Sequence, residues 1–173
     1  LGLEACLIKP YARADLHQCV LAALDRVDKH ANENTAVEPT VEDELPAIRV
    51  LLAEDIETNR KVVAKFLESS SAVIDMVEDG KQALEKFTSD RYDVVLMDIE
   101  MPVMNGLEAT RAIRAWEQEH AASPVPVVAV TAHALGDHRQ RCAEAGCTAF
   151  LTKPIKKKEL VDLLISLCAE GVA

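Results

Sequence analysis

Five short apolar runs alternate with helical patterns between residues 47 and 170, and this alternation constrains the fold more than any other feature. The helical segments place apolar residues three or four positions apart, as Leu160, Leu164 and Leu167 do in the last one. Strict alternation predicts an α/β fold in which helices cover both faces of a parallel sheet. The predicted strands are Ile48–Ala53, Val73–Val77, Val94–Met97, Val125–Val130 and Ala149–Leu151, and the predicted helices span 58–69, 80–88, 106–119, 134–145 and 157–169.

The apolar runs differ in a way that predicts their order in the sheet. Runs one, three and four are nearly continuous in apolar residues, which is typical of strands buried on both faces. Run two is interrupted by Asp75, and the short run five is flanked by Thr148 and Thr152, which indicates edge strands. This pattern favours the doubly wound order 2-1-3-4-5, although other orders also satisfy it.

Polar residues follow four of these runs at the carboxyl end, where ligands bind in sheets of this kind. Glu54 and Asp55 follow the first strand, Asp98 the third, Thr131 the fourth and Lys153 the fifth. Three crowded carboxylates repel one another unless a cation is present, and Mg²⁺ prefers such oxygen ligands. An ammonium and a hydroxyl beside a metal ion suit a phosphoryl group. We therefore expect Asp98, the central carboxylate, to be the acceptor in an aspartyl phosphate.

Four ordered segments of this sequence resemble the receiver domain of response regulators, most closely the receivers of hybrid sensor histidine kinases. The segments are VLLAEDIETNRKV, YDVVLMDIEMPVMNGLEATRAIR, VPVVAVTAHA and AGCTAFLTKPI, and the resemblance covers residues 47–170. It implies a flavodoxin-like (βα)5 fold and a place in a two-component phosphorelay. It also implies a phosphohistidine on a histidine kinase or a histidine phosphotransfer domain as the phosphodonor.

The resemblance implies a metal site around the acceptor. Asp98 would receive the phosphoryl group and also bind Mg²⁺, for which Mn²⁺ is a possible substitute. Asp55 and the backbone carbonyl of Glu100 would complete the direct protein ligands. Glu54 would act through a bound water molecule.

The resemblance also implies how the site responds to phosphorylation. Lys153 would contact the phosphoryl oxygens, and Thr131 would hydrogen-bond one of them. Phe150 would change rotamer in concert, switching the surface formed by helix four, strand five and helix five. The peptide bond before Pro154 would be cis, which is uncommon for proline in general.

Residues 1–24 repeat the pattern of residues 145–168, with the same Lys-Pro pair followed by an amphipathic helix. We expect residues 1–27 to be the last strand and helix of an upstream receiver-like domain, and the acidic segment 28–46 to be a linker. Without the rest of that domain, the apolar stripe of Leu16, Val20, Leu24 and Val27 would be exposed, so we expect it to pack on the receiver, pair with another chain or stay disordered. This stripe makes self-association through residues 1–27 a possibility.

The charge balance limits the classes of partner. Lys and Arg number 19 against 29 Asp and Glu, so the formal net charge is 19 − 29 = −10. We therefore expect no nucleic-acid partner and no direct membrane contact, because both favour clustered basic residues.

Five cysteines without CxxC spacing indicate free thiols in a reducing compartment. We expect a cytoplasmic location, which leaves room for a membrane anchor elsewhere in the parent protein.

Two other functions compete with the receiver hypothesis. Asp98 and Glu100, two residues apart, resemble the acid pair of haloacid-dehalogenase-type aspartyl-phosphate hydrolases, which usually follows the first strand rather than the third. A phosphorylation-independent interaction module would not need Asp55, Thr131 and Lys153 together with Asp98. We therefore expect a signalling domain that catalyses only its own phosphorylation and dephosphorylation, inside a hybrid histidine kinase.

Overall fold

Strands and helices alternate throughout the part of the chain that the structure describes. A computed structural model describes residues 45–132 and 136–170, all within one compact unit. The strands there are β1 (Arg49–Ala53), β2 (Val73–Val77), β3 (Val94–Asp98), β4 (Val127–Thr131) and β5 (Ala149–Thr152). The helices there are α1 (Glu57–Leu67), α2 (Gly80–Ser89), α3 (Gly106–Glu119), α4 (Gly136–Ala145) and α5 (Lys157–Glu170).

The strands form one parallel sheet in the order β2-β1-β3-β4-β5, which confirms the predicted fold and order. β1 and β3 pair with Ala53 opposite Met97, and β3 pairs with β4 with Asp98 opposite Val130. β4 and β5 end with Thr131 opposite Thr152. The register therefore brings the carboxyl ends of β1, β3, β4 and β5 to one rim of the sheet.

Three strands end one residue later than the apolar pattern predicts, since β5 also includes Thr152. Asp98 is the last residue of β3 and Thr131 the last residue of β4, whereas we expected both to follow their strands. The backbone hydrogen bonds of the ladder continue past the apolar side chains, since the Ile99 amide donates to the Val130 carbonyl at 3.1 Å. The regular ladder therefore holds both polar side chains in place.

Alternate residues of the central strands supply the cores on the two faces of the sheet, as period-2 geometry requires. One face packs against α1 and α5, and the other packs against α2 and α3. The first core includes Val50, Leu52, Val63, Leu67, Val94, Leu96, Leu160 and Leu164. The second includes Leu51, Val77, Ala83, Phe87, Val95, Met97, Ala109 and Ile113. A smaller cluster connects Cys142 and Ala145 of α4 with Leu107 of α3 and Ala129 of β4.

The start of α3 is fixed by a capping box. The Asn105 side chain accepts from the Glu108 amide at 2.9 Å, and the Glu108 carboxylate accepts from the Asn105 amide at 3.2 Å. The next residue, Gly106, packs so closely on β3 that a Cβ there would lie 2.0 Å from the Asp98 carbonyl oxygen. The helix therefore begins directly against the end of β3.

Several predictions fall on other parts of the chain. The predicted remnant at residues 1–27, the repeat at 1–24 and the linker up to residue 44 lie outside the described residues. The start of the predicted helix 134–145 also lies outside them, at residues 134 and 135. Among the described residues, no helix is both long enough and apolar enough to cross a membrane.

Candidate functional site

Three carboxylates converge at the rim formed by β1 and β3. Glu54, Asp55 and Asp98 each place an oxygen within 4.8 Å of the others. Glu54 and Asp98 are each 3% exposed, and Asp55 is more open to solvent. Oxygen ligands packed this closely can hold a hard divalent cation, because such an ion offsets the repulsion between buried negative charges.

The ammonium of Lys153 connects two of these carboxylates. Its Nζ lies 2.6 Å from Asp98 Oδ2 and 2.7 Å from Glu54 Oε2. The backbone positions this lysine, since the Lys153 amide donates to the Thr131 carbonyl at 2.8 Å. The Lys153–Pro154 peptide bond is cis. The chain thus turns from β5 into the cleft directly beside the acidic cluster.

The pKa values of Asp98 and Lys153 are both raised, in a site where one ammonium contacts two buried carboxylates. Burial raises the pKa of Asp98, and the neighbouring Glu54 carboxylate raises it further. The hydrogen bonds from Lys153 and from the Glu100 amide lower that pKa without cancelling the effect of burial. Burial alone would lower the pKa of Lys153, but the hydrogen bonds to Asp98 and Glu54 outweigh it and raise the pKa. The lysine is therefore a firmly charged group facing a carboxylate, Asp98, whose negative charge is poorly solvated.

The remaining predicted residues lie on the loop after β3 and on β4 and β5. The Glu100 amide donates to Asp98 Oδ1 at 3.2 Å, which places the Glu100 backbone next to the Asp98 carboxylate. Thr131 is 6% exposed at the end of β4. Phe150 lies on the adjacent strand β5, opposite Ala129, and the Arg139 guanidinium of α4 stacks 4.1 Å above its ring.

Sequence analysis did not identify the polar residues of α1 that hold the acidic loop. Asn59 Nδ2 donates to Glu54 Oε1 at 2.8 Å. Arg60 donates to the backbone carbonyls of Glu54 and Asp55 and pairs with Glu78 at 2.7 Å. Their signal was their place in the first turns of α1, from which a side chain can reach back to the preceding loop.

The fold and the site together define a class of protein. A doubly wound parallel sheet with a buried aspartate between an acidic cluster and a lysine suits metal-assisted phosphoryl transfer to a carboxylate. The response regulator receiver domain family matches this chain over residues 50–165. The chain therefore belongs to the response regulator receiver domain family.

Comparison with known proteins connects this family membership to sensor kinases. The sensor protein GacS of Pseudomonas syringae pv. syringae is 40% identical over 119 residues, which cover 69% of this chain and 13% of GacS. The receiver domain of sensor histidine kinase PA1611 from Pseudomonas aeruginosa is 38% identical, with a TM-score of 0.64 over 71% of this chain and 98% of that one. In that crystal structure a magnesium ion is coordinated in the active-site cleft.

A further similar structure contains a receiver domain together with a partner. The receiver domain of the Saccharomyces cerevisiae response regulator Ssk1, crystallised with the histidine phosphotransfer protein Ypd1, is 25% identical. Its TM-score is 0.72, and the match covers 75% of this chain and 94% of that one. This chain thus contains a receiver domain of a two-component phosphorelay and has a signalling role. It spans only about an eighth of the length of GacS.

Proposed function

We propose that Asp98 accepts a phosphoryl group from a phosphohistidine of a partner protein. The observation that carries the proposal is the position of Asp98, which is buried beside Glu54 and Asp55 with the Lys153 ammonium at 2.6 Å. An Asp98 carboxylate oxygen forms a bond to phosphorus while the bond from phosphorus to the donor imidazole breaks. The electron pair of the broken bond stays on the imidazole nitrogen, which then takes up a proton, and the product is an aspartyl phosphate.

The residues around Asp98 fit a magnesium ion, with Mn²⁺ as a substitute. Asp55, Asp98 and the backbone carbonyl of Glu100 would hold the ion directly, and Glu54 would hold it through water. Once bound, the ion supplies positive charge that offsets the charge of the phosphoryl oxygens. The receiver of PA1611, which binds magnesium in its cleft, supports this assignment.

Lys153 and Thr131 contact the transferred group in this proposal. Transfer to Asp98 adds negative charge, so the Lys153 ammonium exchanges part of its contact with Asp98 and Glu54 for contact with phosphoryl oxygens. Thr131 donates a hydrogen bond to one of those oxygens. Phe150 then changes rotamer, and the surface of α4, β5 and α5 switches between two states.

Transfer requires a partner that can bring its histidine to the cleft, and an apolar groove beside Lys153 suits that purpose. The groove has a volume of about 470 Å³ and is lined by Asn59, Val62, Val63, Pro154 and Ile155 together with Glu54 and Lys153. Val62 is 46% exposed, and nearby Ile56 is 50% exposed. We assign this groove to a histidine kinase or a histidine phosphotransfer domain, and the Ypd1 complex of a similar receiver supports this choice.

The domain catalyses only its own phosphorylation and dephosphorylation in this proposal, and its parent is a hybrid histidine kinase. Residues 47–170 form the receiver, residues 28–46 a linker, and residues 1–27 the end of an upstream receiver-like domain. The domain works in the cytoplasm, where cysteines such as Cys142, Cys147 and Cys168 stay free.

We also propose that residues 1–27 mediate self-association, and sedimentation of the full chain at rising concentration tests this. The double variant Leu16→Asp, Val20→Asp should abolish it, and a monomeric parent chain would contradict the idea.

Intact-mass spectrometry tests the acceptor. The chain, incubated with acetyl phosphate and Mg²⁺, should gain the mass of one phosphoryl group, and Asp98→Asn should gain none. The matched control is Asp162→Asn, which removes an exposed carboxylate on α5 and should label like the parent chain. Labelling of Asp98→Asn would disprove the assignment.

A second pair of variants tests the docking groove. Val62→Glu should slow transfer from a phosphorylated histidine phosphotransfer domain without slowing labelling by acetyl phosphate. The control Val73→Glu changes a valine of the edge strand β2 that is 57% exposed and lies outside the groove. Equal slowing by both variants would remove the groove from the proposal.

A further inference from the structure

Arg60 holds the loop that presents Glu54 and Asp55. Its Nη1 lies 2.6 Å from the Glu54 carbonyl oxygen and 3.0 Å from the Asp55 carbonyl oxygen. Its Nη2 pairs with Glu78 Oε1 at 2.7 Å, just beyond the end of β2. The Arg60 side chain is only 11% exposed, although it starts from a helix whose other basic side chains are largely in solvent. One planar guanidinium therefore connects α1, the loop and the β2 end.

Other contacts of this loop involve Glu54, whose amide donates to the Val77 carbonyl at 3.1 Å and whose carboxylate pairs with Lys153 at 2.7 Å. Helix α1 begins after Ile56, which provides no side-chain cap for the first turn. The Glu54 carboxylate accepts from the Ile56 amide at 3.3 Å and from Asn59 at 2.8 Å, so the acid itself stabilises the turn. Among the described residues, Arg60 is the only one whose side chain bonds the carbonyls of both acids.

The contacts of Arg60 suit a positioning role. The guanidinium donates to the backbone carbonyls and not to the Glu54 or Asp55 carboxylates, so it fixes the peptide without taking up the oxygens that face the cleft. We propose that Arg60 is a positioning residue that sets the affinity of the Glu54, Asp55 and Asp98 cluster for a divalent cation. This inference rests on the proposed metal site and adds a residue that does not touch the metal.

A purely electrostatic effect of Arg60 and a positioning role predict opposite changes in cation affinity when Arg60 is replaced. Removing a positive charge near an acidic cluster strengthens the binding of a divalent cation through the long-range Coulomb term. Losing the hydrogen bonds from Arg60 lets the peptide between Glu54 and Asp55 move, which weakens the binding of the cation. Affinity for a metal ion usually falls about tenfold when a residue that supports a metal ligand is removed. Weaker cation binding after removal of Arg60 therefore indicates a positioning role, whereas tighter binding indicates only an electrostatic effect.

The experiment measures Mn²⁺ binding to the full chain by the electron paramagnetic resonance signal of the free ion, with Mg²⁺ as competitor. Arg60→Met should weaken Mn²⁺ binding about tenfold, and Arg60→Lys should do the same although it keeps the charge, because one ammonium cannot span two carbonyls and Glu78. Glu78→Gln should cause a smaller loss. The matched control is Lys61→Met. Lys61 is the next residue in the chain, carries the same charge as Arg60 and is 72% exposed. The affinity of the Lys61→Met protein for Mn²⁺ should be unchanged or slightly higher.

The outcomes separate this inference from the proposed function. Circular dichroism establishes that each variant is folded during the titration, since a merely structural role would lower stability without changing the affinity of the folded protein. Wild-type affinity in both Arg60→Met and Arg60→Lys, or tighter binding in Arg60→Met, would overturn the inference and leave the metal site intact. No Mn²⁺ binding by the wild-type chain would overturn the metal site itself. If Arg60→Met does not fold, Arg60→Lys and Glu78→Gln decide the result.

Discussion

Gly106 is the position where a single added carbon should disturb both the stability of the domain and the end of β3. A Cβ at this residue would lie 2.0 Å from the carbonyl oxygen of Asp98 and 2.8 Å from its carbonyl carbon. The Gly106 amide is also fixed by its hydrogen bond to the Ile99 carbonyl at 3.0 Å. Because both obstacles are backbone atoms, no side chain can rotate away to make room, and the start of α3 must move by about 1 Å.

The cost of Gly106→Ala follows from these distances. Overpacking of this kind costs about 1–3 kcal/mol. Weakening the amide bond to Ile99 adds about 1 kcal/mol. Alanine has a higher helix propensity than glycine and a smaller entropy in the unfolded chain. These two effects offset about 1 kcal/mol of the loss in stability. We therefore expect the free energy of unfolding to fall by about 1–3 kcal/mol, with weaker binding of Mg²⁺ as the Asp98 backbone shifts.

Urea denaturation, followed by circular dichroism and by the fluorescence of the single tryptophan, Trp116, measures this change. The control Glu108→Ala removes an exposed side chain and one bond of the capping box in the same turn without creating a clash. It should cost about 0.5–1 kcal/mol. A Gly106→Ala protein as stable as the parent chain would refute the close-approach reasoning.

Three further predictions concern the core and the titratable groups. Leu164→Ala should lower the free energy of unfolding by about 2–5 kcal/mol in a urea titration, because Leu164 is fully buried; a loss below about 1 kcal/mol would contradict its place in the core. Burial, with the hydrogen bond to Asp75, raises the pKa of Tyr92 from 10 to about 12. Stability should therefore fall as pH rises from about 10 to about 12, and Tyr92→Phe should flatten this decline in denaturation curves measured at each pH. Burial raises the pKa of Cys147 to about 11. Iodoacetamide at pH 8.5 should thus alkylate Cys147 at least roughly tenfold more slowly in the folded protein than in urea, as measured by peptide mass spectrometry; equal rates would show that the thiol is accessible.

The sequence by itself determined the architecture, because hydrophobic periodicity is a local signal that the folded chain obeys. The continuous runs of β1, β3 and β4 became the central strands, and the interrupted run at Asp75 became the edge strand β2. The capping box of Asn105 and Glu108 was also readable, because both partners lie within one turn. The acidic cluster could be predicted for a related reason, since parallel strands bring their carboxyl ends to one rim.

Tertiary structure alone decided which polar residues act on that cluster and how. Periodicity places Arg60 on an amphipathic helix, but only the packing of α1 against β1 and β2 brings its guanidinium to two carbonyls and Glu78. The sequence likewise put Lys153 in the cleft without indicating that its ammonium contacts both Glu54 and Asp98. Such contacts join residues that are far apart in the chain. Their distances depend on register and side-chain reach, which no local pattern encodes.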